Sequence, residues 1–180
     1  MNNDVDLRKI SVPFAQGVVE TLHSGDYLLL SGEIYTARDA AHKKMIQLLD
    51  DGKELPLDIR GKIIYYCGPC PARPGEVIGS AGPTTSGRMD FAAPRLIAMG
   101  LSGMIGKGSR NDAVKKTMID YKSVYLVALG GAGVLLADCV KACEPVAFSE
   151  LGPEAIYRLT VESFPVFVGY DIYGCDIYSR

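Results

Sequence analysis

The sequence has no tryptophan, only two histidines and no run of 18 apolar residues. Because a membrane-spanning helix needs such a run, we expect no span, and the polar, acidic residues 1–6 are the opposite of a secretory signal. Neither sign of charge dominates, since 19 Lys and Arg residues stand against 21 Asp and Glu residues. A chain that binds nucleic acid through its phosphates usually has a basic surplus, so we expect no nucleic-acid partner.

A disulfide framework is also missing. The cysteines are odd in number and irregularly spaced, namely Cys67, Cys70, Cys139, Cys143 and Cys175. Without an export signal, this usage is typical of a reducing compartment, and we expect a cytoplasmic protein.

What is present is the composition of one ordinary globular domain. Hydrophobic residues make up 48% and charged residues 22% of the 180 residues, which excludes a disordered chain and a fibre. No internal repeat, low-complexity tract or long linker interrupts the sequence, so we expect a single domain over residues 1–180. The 20 glycines and 10 prolines predict many tight turns and shaped loops.

The order of predicted elements favours an α/β fold. Strands and helices alternate in the middle of the chain and strands follow one another near both ends, which predicts a mixed sheet flanked by helices. Thr36 is a good N-cap for the first helix, and Asp39, three residues later, gives an Asp version of the capping box. We predict strands at residues 9–13, 27–31, 62–66, 101–105, 123–129, 145–148, 156–161 and 165–168, and later helices at 89–99, 109–121 and 134–141.

Residues 68–87 form a long predicted loop, and such a loop inside a compact domain is usually functional. The Cys-Gly-Pro-Cys motif at residues 67–70 has the spacing of a thioredoxin dithiol. That chemistry needs the first cysteine at a helix N-terminus, but the proline and glycine at 74–75 would end a helix there. Two ordinary loop thiols are the favoured interpretation.

Two further motifs have a structural explanation. Gly131 and Gly133 lie between a predicted strand and a predicted helix, as in a dinucleotide fingerprint, but the third glycine is missing. Close packing of strand against helix explains them equally well. Cys139 and Cys143 are four residues apart, a spacing that gives a shared face on a helix, and an apolar face is favoured over a metal pair.

A cation at the start of a helix is electrostatically out of place, and Arg38 lies in the first turn of the first predicted helix. An anionic ligand between the helix dipole and the guanidinium would account for it. His42 lies four residues later and shares the same face. The alternative is a solvated arginine paired with Asp39.

A second cationic position, Arg88, ends a run of small residues at 79–87. Small residues let the backbone approach a ligand, and hydroxyls and N–H groups before a helix can hold a carboxylate, which Arg88 would clamp. A plain capping turn is the alternative. Lys107 lies at a predicted strand end, where α/β domains place ligand groups, unless it is an ordinary exposed lysine.

Together these positions supply two guanidiniums, one ammonium and several hydroxyls, which suit a small dianion such as a dicarboxylate. Removing a proton next to a carboxylate builds negative charge on it, and fixed cations stabilise that transition state.

At these residues the sequence resembles the β subunit of the iron–sulfur-dependent class I fumarases and L-tartrate dehydratases. The resemblance runs through nearly the whole chain in order, and the block Gly-Pro-Thr-Thr-Ser-Gly-Arg-Met-Asp within it is long enough to be specific. The matching stretches are residues 31–42, 64–90, 103–108, 127–137 and 150–171.

The resemblance implies a swivelling β/β/α domain whose residues clamp a dicarboxylate. Carried over by motif, the clamp consists of Arg38, Arg88 and Lys107. Thr84 resembles the catalytic residue that works with an α-subunit Asp in proton abstraction, and Thr85 is a substrate hydrogen-bond donor. Asp39 and His42 belong to the motif and take supporting roles.

The resemblance also implies an α subunit that holds a 4Fe–4S cluster through three cysteines, with one iron open to the substrate as a Lewis acid. The β chain then supplies no metal ligand, and its own cysteines are not the cluster thiolates. The implied reaction is the reversible hydration of fumarate to malate. The implied assembly is a hetero-oligomer such as α2β2, or one built on a homodimer of the β chain.

The substrate stays open, because an L-tartrate dehydratase would need the same clamp for two carboxylates. Two alternatives belong to other classes. One is a thiol oxidoreductase that uses Cys67 and Cys70. The other is a non-catalytic module that binds a dicarboxylate without a partner.

Overall fold

The computed structural model describes residues 7–179, and its strands and α-helices alternate through the middle of the chain. The strands are β1 (Leu7–Val12), β2 (Tyr27–Thr36), β3 (Ile63–Tyr65), β4 (Gly103–Gly106), β5 (Val124–Val127), β6 (Val140–Ala147) and β7 (Ile156–Tyr170). The α-helices are α1 (Asp39–Asp50), α2 (Ala93–Ala98), α3 (Asp112–Tyr121) and α4 (Gly133–Asp138). Short 3₁₀ turns lie at Val19–Thr21, Ser86–Met89, Ser149–Glu154 and Ile177–Ser179.

The sheet is mixed, as the sequence predicts. Strands β1 to β5 pair in parallel in chain order, and β7 runs antiparallel to its partners β2, β5 and β6. Because β7 pairs with both β2 and β5, the strands β2, β3, β4, β5 and β7 close into a ring. The parallel strands of this ring end at one common edge, where ligand groups gather in α/β folds.

Both faces of the ring strands are buried. Alternate side chains of a strand point to opposite faces, so Ile63 and Tyr65 join one hydrophobic cluster while Ile64 and Tyr66 join the other. The second cluster includes Met45 and other side chains from α1, α2 and α3, so these three helices cover the outside of the ring.

The first helix begins later than the capping pattern predicts. Thr36 is the last residue of β2 and is fully buried, and its Oγ1 accepts a hydrogen bond from the N–H of Tyr157 at 3.1 Å. The N-cap of α1 is Arg38, whose side chain makes no capping hydrogen bond. The predicted capping box of Thr36 and Asp39 is therefore wrong, because Thr36 pairs with Tyr65 of β3 and the backbone stays extended through it.

The region after β5 also differs from the prediction. Helix α4 ends at Asp138, and Cys143 lies in β6, so Cys139 and Cys143 do not share a helical face. The two predicted strands at 156–161 and 165–168 form the single strand β7, which continues through a left-handed residue, Ser163 (φ 53°). The helices are short, and none within residues 7–179 is long and apolar enough to cross a membrane.

Candidate active site

The N-terminus of α1 is closed by a carboxylate from a distant part of the chain. The backbone N–H of Ala40 donates to Oε2 of Glu154 at 2.7 Å, and Oε1 of the same carboxylate lies 3.5 Å from Nε of Arg38. The sequence places an anionic ligand between the helix dipole and the guanidinium of Arg38. In the structure the carboxylate of Glu154 takes that position, because the 3₁₀ turn Ser149–Glu154 brings this residue to the start of the helix.

A second carboxylate joins the two arginines predicted for the site. Asp39 accepts hydrogen bonds from Nε of Arg38 at 3.1 Å and from Nε of Arg88 at 2.9 Å. Burial acts to raise the pKa of Asp39, but the hydrogen bond from Arg38 and the charges of both arginines outweigh it and hold the pKa below its usual value. Asp39 is therefore an anion that fixes both guanidiniums. Its pair with Arg38 is the one that the alternative interpretation of Arg38 predicts.

Thr84, Thr85 and Lys107 are brought together by backbone pairing at the ring edge. The N–H of Thr84 donates to the carbonyl of Tyr66 at 2.7 Å, directly after β3. Thr85 and Lys107 form an isolated parallel bridge, in which the N–H of Ser86 donates to the carbonyl of Lys107 at 2.8 Å. The segment from Thr84 onwards thus extends the sheet beside the end of β4.

The same segment carries Arg88, so it connects the two groups of predicted residues. Ser86–Met89 is a 3₁₀ turn, and it places Arg88 against Asp39 at the start of α1. All the predicted clamp residues therefore lie along one edge of the ring. This edge is open, because Thr85 and Lys107 are exposed and 51% of the Arg88 side chain is accessible.

A buried polar network supports this edge from below. The hydroxyl of Tyr125 forms a 2.8 Å hydrogen bond with Oγ of Ser86 and donates to the carbonyl of Gly108 at 2.8 Å. It therefore ties the threonine segment to the residues beside Lys107. Gly106 must be a glycine, because a Cβ there would collide with Oγ of Ser86.

A buried ion pair continues the network. Nε of Arg110 donates to Oδ1 of Asp90 at 2.6 Å, and its guanidinium lies over the rings of Tyr66 and Tyr125 at 5.2 and 5.1 Å. The Arg110 side chain has no accessible surface. Oδ2 of Asp90 accepts from the N–H of Asn111, the N-cap of α3, so the pair also fixes that helix.

His42 is fully buried beneath the start of α1. Its Nδ1 lies 3.0 Å from the carbonyl oxygen of Arg38, and its ring packs edge-on against Tyr66. Burial lowers the pKa of His42 to about 4, so the ring is neutral near pH 7 and Nδ1–H donates to the carbonyl. His42 thus supports the backbone of Arg38 and does not reach the open edge.

The sequence missed five of the residues that shape the site. No periodic pattern in the sequence marks any of them. The only signals are the basic charge of Arg110, two positions after Gly108, and the acidic charge of Asp90 at the end of the threonine block. The five residues are Ser86, Asp90, Arg110, Tyr125 and Glu154.

The cysteines do not form a ligand set. Within residues 7–179, no three His, Cys, Asp or Glu side chains are placed to hold a metal ion. Cys67 is buried and Cys70 is exposed, and burial raises the pKa of Cys67 to about 12. No helix follows the motif, so the setting that activates a thioredoxin cysteine is absent from this described stretch.

Gly133 has a local explanation, whereas a Cβ on Gly131 would meet no neighbour within 4 Å and Gly131 lies in the left-handed region at φ 81°. A Cβ on Gly133 would collide with Oγ of Ser80 and lie 3.0 Å from the N atom of Gly82, and the carbonyl of Gly133 accepts from the N–H of Ala81 at 3.0 Å. Close packing against the small-residue segment therefore accounts for Gly133.

Comparison with known proteins identifies the family of the chain. A family model described as the fumarase C-terminus matches residues 1–180. The chain is 43% identical over 168 residues to a provisionally named L(+)-tartrate dehydratase subunit beta of Methanocaldococcus jannaschii, covering 90% of this chain and 86% of that one.

Longer relatives match over the same part of this chain. It is 43% identical over 155 residues to the anaerobic class I fumarate hydratase of Escherichia coli and 38% identical over 158 residues to fumarate hydratase 2 of Leishmania major. These matches cover 85% and 87% of this chain but only 28% of each relative. The chain belongs to the fumarase C-terminus family.

Proposed function

We propose that the chain is the β-type subunit of a hydro-lyase that acts on a small dicarboxylate, most directly as a fumarate hydratase. The arginine pair held by Asp39, on the same open edge as Thr84, Thr85 and Lys107, is the observation that carries this proposal. An L-tartrate dehydratase is the second candidate, and the name of the Methanocaldococcus jannaschii relative favours it.

In the proposed mechanism, the cations of this edge hold both carboxylates of the substrate. Arg38 and Arg88 bind one end and Lys107 the other, and they stabilise the negative charge that grows when a proton leaves the neighbouring carbon. Thr85 donates a hydrogen bond that orients the substrate. Thr84 assists proton transfer at that carbon together with a carboxylate from the partner subunit.

The proposal includes an α-type partner subunit that completes the site. It is supported by the exposure of Arg88 and Lys107, and by the fumarate hydratase relatives, in which this family domain makes up about 28% of the length. We assign the 4Fe–4S cluster to that partner, where its chemistry is Lewis-acid activation of the departing hydroxyl. The cysteines of this chain do not fit the cluster, and no step on this chain passes through it.

The same proposal covers the remaining features expected from the resemblance. The closed ring with three helices on its outside is compatible with a swivelling β/β/α domain, and the family match over residues 1–180 supports one domain. An α2β2 assembly, or one built on a β-chain homodimer, and a cytoplasmic location belong to it as well.

Reconstitution with a partner tests the proposal. We expect the purified chain alone to show no turnover of malate, fumarate or L-tartrate, and a co-expressed α-type chain with reconstituted iron and sulfide to restore it. The substrate with the higher kcat/KM then distinguishes the two candidate reactions. Turnover by the chain alone, or none by the reconstituted pair, would overturn the proposal, and tight binding of malate by the chain alone would favour the non-catalytic module.

A further inference from the structure

We propose that Glu154 and Gly68 form a slot that positions the Arg38 guanidinium for the substrate carboxylate. Glu154 is then a positioning residue, and the glycine of the Cys-Gly-Pro-Cys motif has a role at the site. This inference rests on the proposed function, because Arg38 is the residue whose placement it explains.

The two carboxylates around Arg38 approach the same side of its guanidinium. Oδ2 of Asp39 lies 3.1 Å and Oε1 of Glu154 lies 3.5 Å from Nε. Within residues 7–179, Nη1 and Nη2 make no hydrogen bond, so the terminal fork of the guanidinium is available. Two parallel N–H donors are the geometry that binds a carboxylate through both of its oxygens.

Glu154 also fixes the backbone from which Arg38 projects. Its Oε2 accepts from the N–H of Ala40 at 2.7 Å, at the N-terminus of a helix of 12 residues. A carboxylate at a helix N-terminus is stabilised by the unpaired N–H groups and by the dipole. Glu154 therefore holds both the start of α1 and the guanidinium of its N-cap residue.

Gly68 forms the floor of the slot. It follows β3, and a Cβ at this position would lie 2.8 Å from Cδ of Arg38, 3.2 Å from its Nη1 and 3.2 Å from the carbonyl oxygen of Pro153. A side chain at this position would force the Arg38 side chain out of its present place beside the two carboxylates. The Arg38 side chain is consequently bounded by Gly68 on one side and by the Glu154 carboxylate on another.

The principal test is Glu154→Gln in the reconstituted two-subunit enzyme. The Gln carbonyl still accepts from the N–H of Ala40, so we expect an unchanged melting temperature, whereas the lost charge loosens Arg38. We expect KM to rise about fivefold with kcat within about twofold, the range that a partly exposed ion pair supports. The matched control is Glu150→Gln in the same 3₁₀ turn, whose carboxylate pairs with Lys44 at the surface, and it should leave KM unchanged.

A second variant and a direct readout keep the test decisive. Gly68→Ala should raise KM in the same way at an unchanged melting temperature. A direct readout uses the full chain labelled with ¹⁵N-arginine, in which the Arg38→Lys variant assigns the Nε–H signal of Arg38. This Nε–H should exchange with water faster in Glu154→Gln than in the parent. A parent KM and parent exchange rate in Glu154→Gln, or a parent KM in Gly68→Ala, would overturn the slot.

These outcomes are separable from failure of the proposed function. If the reconstituted parent enzyme turns over none of the three substrates, the proposed function fails, while the exchange of Arg38 Nε–H still tests the slot. If the parent is active and the variants match it, the slot fails and the function stands.

Discussion

The carboxylate of Asp39 meets the guanidinium of Arg88 side-on, with Oδ1 2.9 Å from Nε and Oδ2 2.9 Å from Nη2. The same Oδ2 lies 3.1 Å from Nε of Arg38. One anion therefore separates two cations that would otherwise repel each other, and it fixes the angle at which both present their remaining N–H donors. In the proposed enzyme, Asp39 sets the width of the clamp without touching the substrate.

Replacing Asp39 with Asn should disturb binding more than folding. Asn keeps one acceptor but loses the charge, so one of the two arginines becomes free to move. We expect KM to rise about tenfold, and the free energy of unfolding to fall by no more than about 1 kcal/mol because the pairs are partly exposed. Steady-state kinetics and urea unfolding of the same preparation check both values. A parent KM would show that Asp39 does not position the arginines.

Arg88→Ala should lower the activity strongly and leave the stability nearly unchanged. Half of the side chain is accessible, so its removal leaves no buried cavity, but it takes away a cation that the proposed mechanism uses to bind the substrate. We expect kcat/KM to fall on the order of a hundredfold with the unfolding midpoint nearly unchanged. Arg60→Ala, at a 78% exposed side chain paired with Asp58, is the matched control. Parallel losses of activity and stability would identify Arg88 as structural.

The sequence predicts those parts of the site that local rules govern. A cation is unusual at a helix start, which indicates a role for Arg38, and ligand groups follow parallel strands, which indicates one for Lys107. The carboxylate of Glu154, which pairs with Arg38, could not be predicted, because it lies 114 residues from the N–H group that it caps. Thr36 shows the converse, since its local cap signal is overruled by its sheet pairing with Tyr65 of β3.

Local sequence patterns also fail to predict the buried residues that hold the site in place. Tyr125 fits its strand as an ordinary apolar residue, yet its hydroxyl joins Ser86 to Gly108. Arg110 follows a loop and looks like a surface residue, but it packs over Tyr66 and Tyr125 and is buried with Asp90. The pairing of such residues is decided by the tertiary fold, so spacing along the chain carries no trace of it.

Breaking the Arg110–Asp90 pair should be strongly destabilising. Arg110→Met leaves the Asp90 carboxylate buried with only the N–H of Asn111 as a partner, and such one-sided removal costs about 3–5 kcal/mol. Arg60→Met, which removes an exposed ion pair, should cost less than about 1 kcal/mol. Urea unfolding curves measure both. Similar small losses in the two variants would mean that the buried pair is solvated.

Protonation of His42 should destabilise the chain in mild acid. Its folded-state pKa is about 4 and its ordinary value is 6.5, so the unfolded chain binds a proton that the folded chain does not between these values. The stability is complete above pH 6.5 and is lost as the pH falls towards 4, by on the order of 3 kcal/mol. His42→Asn removes the titration, and its stability should depend less on pH over this range. Equal pH slopes of the unfolding free energy in parent and variant would contradict this.

The thiols of the Cys-Gly-Pro-Cys motif should be dispensable for chemistry. Burial raises the pKa of Cys67 to about 12, so its thiol is protonated at neutral pH and cannot act as the nucleophile of a redox dithiol. We expect iodoacetamide to modify the exposed Cys70 in the folded chain and Cys67 only after unfolding. Cys70→Ser should keep the hydro-lyase activity of the reconstituted enzyme, as should the control Cys175→Ser at another exposed cysteine. Reduction of insulin by the parent chain, abolished in Cys70→Ser alone, would instead establish the thiol oxidoreductase.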